Sequence, residues 1–397
     1  ILEPMHAPLN TIRGEVASQF ATNNMMTSNT LMAEGNQNGF TWRVRGSYKN
    51  AASFKTPPGY IFNTGFNELN YSAMLGLNRK WGYSHLHYSR YDANIGMAES
   101  DSFARTRIPA LPFQNVRHNK ITWVSNLIFG KNQVRINLGY QNNDRREYEE
   151  SNDNPTLFMH LDTWTYDGKF TRLMQGDIEF VAGMSGMTQS NTNKGEEYLV
   201  PAYILQDLGA FIYLKKSWPK WTLNAGLRFD HRYVDGRSLY LDTLGQPAPK
   251  GDTVFPGFKE NFSAVSGSTG FTVAIAKAIN FKFNIGSGFR APNIAELGSN
   301  GVHPGTLRYE IGNPLLKPEN SIQADGELSA GWDLLDITLS AYYNYIFNYI
   351  YQRNIDGESI AKSGESFLVY RFVQGNSTLT GFELEIDIHP LEPLHFE

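Results

Sequence analysis

The sequence predicts an all-β fold, an antiparallel transmembrane β-barrel, on three observations. Hydrophobicity alternates with a period of two over long stretches, short turn signals alternate with long connections, and no apolar run is long enough for a membrane helix. The 397 residues include 25 Phe, 21 Tyr and 36 Gly with only 19% charged residues, a mix that suits strands and turns better than helices. A hydrophobic fraction of 41% and a mean hydropathy of -0.40 resemble a soluble protein. A transmembrane barrel keeps such values because only every second residue faces lipid while its neighbours face a wet lumen.

The alternation is read segment by segment. Phe40, Trp42, Val44 and Tyr48 stand against Thr41, Arg43, Arg45 and Ser47. Val134, Ile136, Leu138 and Tyr140 repeat the pattern. From Trp221 to Tyr233, the apolar Leu223, Ala225, Leu227 and Phe229 oppose Asn224, Gly226, Arg228, Asp230 and Arg232. Phe281, Phe283, Ile285 and Phe289 follow, then Ile337, Leu339, Ala341, Tyr343 and Tyr345. Finally Phe382, Leu384, Ile386 and Ile388 oppose Glu383, Glu385, Asp387 and His389. Soluble β-sandwiches alternate too, but their strands average about five or six residues, whereas a tilted membrane strand needs about 9 to 11. Several of these segments reach the longer range.

Connections supply an independent signal, since such barrels have short periplasmic turns on one rim and long loops on the other. Short links are expected at 36–39, 79–82, 130–132, 173–176, 217–220, 278–280, 334–336 and 390–393. Longer ones are expected at 50–68, 95–114, 149–157, 191–202, 235–261, 290–320 and 351–367. Gln374 to Ser377 looks like a turn, but counting it would break the alternation, so Leu368 to His389 is read as one strand. The total is about sixteen strands with a seventeenth begun, below the 22 of plugged outer-membrane transporters. The domain expected is therefore a barrel over 1–397, incomplete at both ends. Trp81, Trp218 and Trp221 flank turns, with Trp42 and Trp123 farther along strands, as aromatic girdles require.

Composition also excludes. With no Cys there is no disulfide framework and no cysteine metal site, and a net charge of -4 offers no basic stripe for nucleic acid. No GxSxG turn, P-loop or HExxH is present, so no catalytic residue is assigned and no enzyme or cofactor is expected. His85 and His87 share a strand face with Tyr83 and are read as an interfacial aromatic band, not a metal site. Met25, Met26, Met32, Met184 and Met187 are read as methionines scattered through a lipid-facing protein in preference to soft copper ligands.

One segment goes further. Phe289-Arg290-Ala291-Pro292 with Glu296-Leu297, followed by Gly312-Asn313-Pro314-Leu315-Leu316-Lys317-Pro318-Glu319, resembles the TonB-dependent outer-membrane receptors. In that family an FRAP…EL element precedes GNP.LKPE in a loop between two barrel strands. Here the prolines cannot extend a ladder, Gly312 permits an unusual backbone angle, and Arg290 and Glu319 are placed to pair. Pro112 to His118 with Gly139 to Tyr148 resembles ferric-siderophore-type receptors, and Asn376 with Gly381-Phe382-Glu383 resembles a late strand of the family.

The resemblance implies a bacterial outer-membrane receptor, 22-stranded when intact, that takes up a scarce nutrient, foremost a ferric siderophore. Haem, cobalamin or copper uptake by the same barrel, or a passive porin-like channel, stand as alternatives. Its implied partners are the TonB–ExbB–ExbD energy-coupling complex, the iron chelate and outer-membrane lipid. Arg43, Arg45, Arg135, Arg228, Asp230, Arg232, Glu383, Glu385 and Asp387 are then expected to face the lumen and its plug. Tyr60, Phe62, Phe66, His303, Arg308 and Tyr309, in extracellular loops, are the expected ligand contacts, offering aromatic and basic surface to an anionic, ring-bearing molecule.

Overall fold

The computed structural model describes residues 7–98, 104–303, 306, 308–362, 364–391 and 394–396. The first strands are β1 (Thr11–Ala21), β2 (Met26–Gln37), β3 (Phe40–Ala51), β4 (Phe66–Arg79), β5 (Gly82–Gly96), β6 (Phe113–Phe129), β7 (Asn132–Tyr148) and β8 (Leu157–Met174). They continue as β9 (Ile178–Asn193), β10 (Tyr203–Ser217) and β11 (Trp221–Gly236). A small separate sheet of β12 (Leu239–Leu241), β13 (Pro247–Ala248) and β14 (Asp252–Phe255) fills the next connection. Then come β15 (Phe258–Ala276), β16 (Ile279–Arg290), α1 (Ile294–Gly298), β17 (Asn300–His303), β18 (Arg308–Ile311), β19 (Glu319–Trp332), β20 (Leu335–Lys362), β21 (Glu365–Leu391) and β22 (Leu394–Phe396).

Sixteen of these strands are long, and each pairs antiparallel with the next long strand. Among the described residues β1 is paired with β2 alone, so the sheet is open on that side. Register assigns the faces. Arg228 of β11 lies opposite Phe211 of β10 and Ser266 of β15, while Leu227 lies opposite Ile212 and Gly267. Leu227 is 58% exposed, with Ile212, Leu223 and Phe229 exposed beside it. A row of bare Leu, Ile and Phe on one face, with ion-paired side chains on the other, is the pattern of a wall between lipid and water.

The short-turn rim is built as the sequence pattern predicts. Asn38 and Gly39 both have positive φ, 49° and 80°, the conformation of a two-residue hairpin whose twist matches its strands. Gln374 to Ser377 runs inside β21, in line with the parity argument. One link on the opposite rim, Thr22 to Met25, is short as well, so not every connection there is long.

Two expectations are corrected. The expected loop over 351–367 is largely strand: β20 runs 28 residues and β21 runs 27, with Lys362 opposite Glu365. Its turn-forming residues are absorbed in a bulge, where Asp356 and Gly357 take positive φ and Asn354 Nδ2 donates to the Val369 carbonyl at 2.7 Å. Tyr83, His85 and His87 do not form an interfacial band. Their register partners include Asn78, Gly76 and Met74, opposite in parity to the outward Leu75 and Leu86, so the row faces inward. His85 is buried, stacked on Tyr83 at 4.8 Å, and its Nε2 lies 2.8 Å from Asn78 Oδ1. Met184 is exposed on the lipid face, but Met32 and Met187 stand opposite the inward Arg45 and Asp207.

Candidate functional site

The connection between β16 and β19 folds inward and caps part of the wall. Asn293 starts α1 with a capping box: its side chain accepts from the Glu296 backbone N–H at 2.9 Å, and the Glu296 carboxylate accepts from the Asn293 N–H at 2.8 Å. The same carboxylate takes two 2.9 Å hydrogen bonds from Arg290 Nη1. Arg290 also donates from Nε and Nη2 to Glu319 at 2.6 and 2.7 Å, a bidentate fork. Glu319 Oε1 further accepts from the Ile350 backbone N–H at 2.7 Å. One guanidinium thereby ties the end of β16, the helix and the start of β19, and the Glu319 carboxylate carries the link on to β20.

Under this clamp lies an apolar core of Val234, Phe262, Ala291, Leu297, Leu316, Ile350 and Phe372, with Phe258, Phe289 and Ile294 packed against it. Pro292 is fully buried. Gly312 is required by closeness, not by backbone angle: a Cβ there would sit 2.5 Å from the Gly298 nitrogen, and its φ is not positive. Asn313 N donates to the Glu296 carbonyl at 2.8 Å. Pro314 sets the chain toward Lys317, whose N–H and carbonyl are both held by the Gln374 amide at 2.8 and 2.7 Å. The Pro318 carbonyl accepts from Asn348 Nδ2 at 3.2 Å. The polar groups of this stretch are thus occupied with the protein itself.

The remaining loop residues fall into two clusters. In the first, Tyr60 has Lys55 Nζ 5.8 Å and the Arg105 guanidinium 5.6 Å from its ring centroid, while Phe62 is half-buried nearby in sequence and Phe66 opens β4 opposite Ala51 and Ile95. The hub of this cluster, which sequence reasoning missed, is Asn63. It is fully buried at φ 57°, its Nδ2 lies 2.6 to 3.0 Å from the carbonyls of Met97, Ala110 and Pro112, and its Oδ1 accepts from Ala110 N. Asn tolerates a left-handed backbone better than most residues, and that is the signal an Asn-Thr-Gly loop offers. In the second cluster the Arg308 guanidinium stacks 4.3 Å over Tyr370, and the Tyr309 hydroxyl donates to Asn300 Oδ1 at 2.9 Å, with burial raising its pKa. The side chain of His303 lies outside the described residues.

On the wall, Arg43 and Arg13 both bind the buried Glu34. Arg232 forks onto Asp207 at 2.7 Å, and Arg228 holds Asp230 at 2.8 Å and Ser185 at 3.2 Å. Arg135 shares the inward parity of Asn126 and Lys169. Glu383, Glu385 and Asp387 lie opposite Ser340, Thr338 and Asp336. Arg45 is exposed on the inner face, and among the described residues it has no ion-pair partner.

Comparison with known proteins follows from this geometry. Residues 15–395 match the family model described as "TonB dependent receptor-like, beta-barrel". No curated protein matches the chain. Solved structures with the same fold include the hemophore receptor HasR of Serratia marcescens, solved with its hemophore HasA and heme, with a TM-score of 0.70, 15% identity and coverage of 95% of this chain and 61% of that one. The copper transporter OprC gives 0.73, 16%, 98% and 61%. The siderophore receptor PirA from Pseudomonas aeruginosa gives 0.70, 12%, 97% and 65%. The chain thus spans less than two thirds of each of these structures, and at such identities the likeness is one of fold. The family match over nearly the whole chain, on a wall with one apolar and one polar face, makes this a TonB-dependent receptor-like β-barrel, a multi-pass protein of the bacterial outer membrane.

Proposed function

We propose that the chain is barrel wall of a receptor for TonB-dependent uptake of a ferric siderophore. The observation that carries the reading is the family match over residues 15–395. The choice of an iron chelate is supported by the loop residues, where Lys55 and Arg105 both lie within 6 Å of the Tyr60 ring and a guanidinium stacks on Tyr370, surfaces that suit an anionic ligand bearing aromatic or planar groups. Siderophore receptors are among the fold relatives, but so are a copper transporter and a hemophore receptor, which keep copper and haem as the competing cargoes. An outer membrane holds no ATP and no ion gradient, so concentrative uptake must draw energy through the periplasm. TonB with ExbB and ExbD fills that role.

The test is uptake of radiolabelled ferric chelates by cells making the full-length protein, with and without TonB. Saturable, TonB-dependent accumulation of at least one ferric chelate is expected. Accumulation of haem or copper alone would refute the siderophore reading, and equal entry without TonB would favour a passive channel.

A further inference from the structure

Cations gather on the short-turn rim between β4 and β16, in a chain whose net charge is -4. Lys80, Lys131, Lys220 and Lys277 stand in four of its turns, and Arg172 and Lys216 stand near the ends of β8 and β10. All but Lys216 are exposed. Among the described residues none of these side chains has an ion-pair partner, whereas Arg228, Arg232 and Lys282 on the inner face are each paired. The carboxylates at these turns are Asp177 and Glu179, and Glu179 lies opposite Lys215 in register. The next turn, at Asp333-Leu334, carries no cation, and the patch ends there.

Register turns part of this patch toward lipid. Lys216 lies opposite Ile178 and Leu223, and Arg172 lies opposite Phe180, itself opposite Leu214. Leu214 and Leu223 are exposed in the apolar rows of the outer face. Lys216 Nζ sits 5.0 Å from the centroid of the Trp218 ring, and Trp81, Trp218 and Trp221 are exposed along the same rim. Tryptophan belongs at the level where hydrocarbon meets headgroups, and a long cationic stem can lie along an apolar wall while its charge reaches that level. The rim also holds the cations in place. Leu173 N–H donates to the Lys131 carbonyl at 3.2 Å, Ser217 N–H to the Asp177 carbonyl at 3.3 Å, and Ala274 N–H to the Lys220 carbonyl at 2.9 Å. Neighbouring turns are thereby tied sideways, two strand spacings or about 10 Å apart.

We propose that this rim is a docking surface for the phosphate headgroups of anionic phospholipid in the leaflet on the short-turn side. Charge complementarity asks for an anion, and the exposed tryptophans beside lipid-facing Arg172 and Lys216 place that anion at a bilayer surface. A guanidinium forks onto phosphate oxygens and an ammonium meets them as a point charge. Each basic residue at an anionic membrane surface favours such lipid by about fivefold locally. The proposal adds a lipid partner to the barrel and does not depend on which cargo the barrel carries.

The experiment places full-length receptor in phosphatidylcholine vesicles carrying spin-labelled phosphatidylglycerol or spin-labelled phosphatidylcholine. Electron paramagnetic resonance reads the share of each label held at the protein boundary. Wild type is expected to favour phosphatidylglycerol, with a preference that falls as salt rises. Replacing Lys80, Lys131, Arg172, Lys216, Lys220 and Lys277 together by Gln should cut that preference at least about twofold. Should this variant not fold, Arg172→Gln with Lys216→Gln is expected to give a smaller fall in the same direction. Arg172→Lys with Lys216→Arg keeps the charges and should keep the preference. Lys169→Gln removes a cation from the inner face, away from lipid, and should leave it unchanged. Equal boundary shares of the two lipids around wild type overturn the proposal, and so does an unchanged ratio in the folded glutamine variants. A fall of the same size in Lys169→Gln also overturns it, because the preference would then follow net charge alone. Binding of soluble polyglutamate through the same residues, without any lipid preference, would replace the lipid by an acidic protein partner.

Discussion

Replacing Arg290 with alanine removes the side chain that joins the end of β16, the helix and the start of β19 in the inward-folded connection. The guanidinium makes four hydrogen bonds to two carboxylates, and their side chains are only 10% and 12% exposed. A hydrogen bond to a charged group contributes about 1.5 to 3 kcal/mol, and stripping the partner from a buried ion pair costs about 3 to 5 kcal/mol. Arg290 itself is 43% exposed, so water screens part of this and can reach the carboxylates once the arginine is gone. The loss worked from these terms is about 2 to 3 kcal/mol. Urea unfolding of the refolded protein in lipid vesicles measures it, and a cycle with Glu319→Gln isolates the pair. Coupling of about 1 kcal/mol or more is expected between the two positions. Additivity within about 0.5 kcal/mol would refute the clamp, because it would mean that Glu319 is held as well without Arg290 as with it.

Other substitutions test other parts of the wall. Leu227→Lys places a charge on the lipid face and should hinder membrane assembly by about 2 to 4 kcal/mol near the midplane, whereas Arg228→Leu on the inner face should assemble almost normally. Equal behaviour of the two in a vesicle-folding assay would reverse the assigned faces. Gly312→Ala drives a methyl group into the backbone of Gly298 and Ser299, and should cost about 1 to 3 kcal/mol, read as a lowered melting temperature. A melting temperature within error of wild type would show that the loop yields freely there. Asn63→Ala strands the partners of its amide and should speed hydrogen exchange at Ala110 and its neighbours while leaving the exchange of β7 and β8 unchanged. Exchange altered throughout the sheet would contradict a local role.

Much of the wall is legible from residue types alone, because strand period is 2 and a mistake of one residue moves every side chain to the wrong face. That is why the faces of Trp221 to Tyr233 and of Phe382 to Ile388 follow directly from their alternation. The Arg290–Glu319 pairing is legible for a different reason: charges of opposite sign flank a loop whose prolines bar any ladder. What period cannot supply is an absolute direction where both faces look alike. Tyr83, His85 and His87 suit an interface or a lumen equally, and only pairing with Gly76 and Met74 turns them inward. The long β20–β21 hairpin is hidden because Asn354, Asp356 and Gly357 carry turn chemistry, which a bulge uses without ending the strand. Asn63 is hidden because its partners lie 34 to 49 positions away, in a different loop.

The parallel ladder between Arg308–Ile311 and Leu368–Arg371 has a kinetic consequence. Those residues meet across about sixty positions, and the apolar core beneath gathers side chains from Val234 to Phe372. Neither can form until the β20–β21 hairpin exists to receive them. Local hairpins along the wall close early, each from its own short turn, whereas the segment with the most interlocking contacts has to wait for chain far downstream. A folding intermediate with its strands paired and the β16–β19 connection still accessible to protease is the expected order of events, and truncation before Glu365 should arrest the protein there.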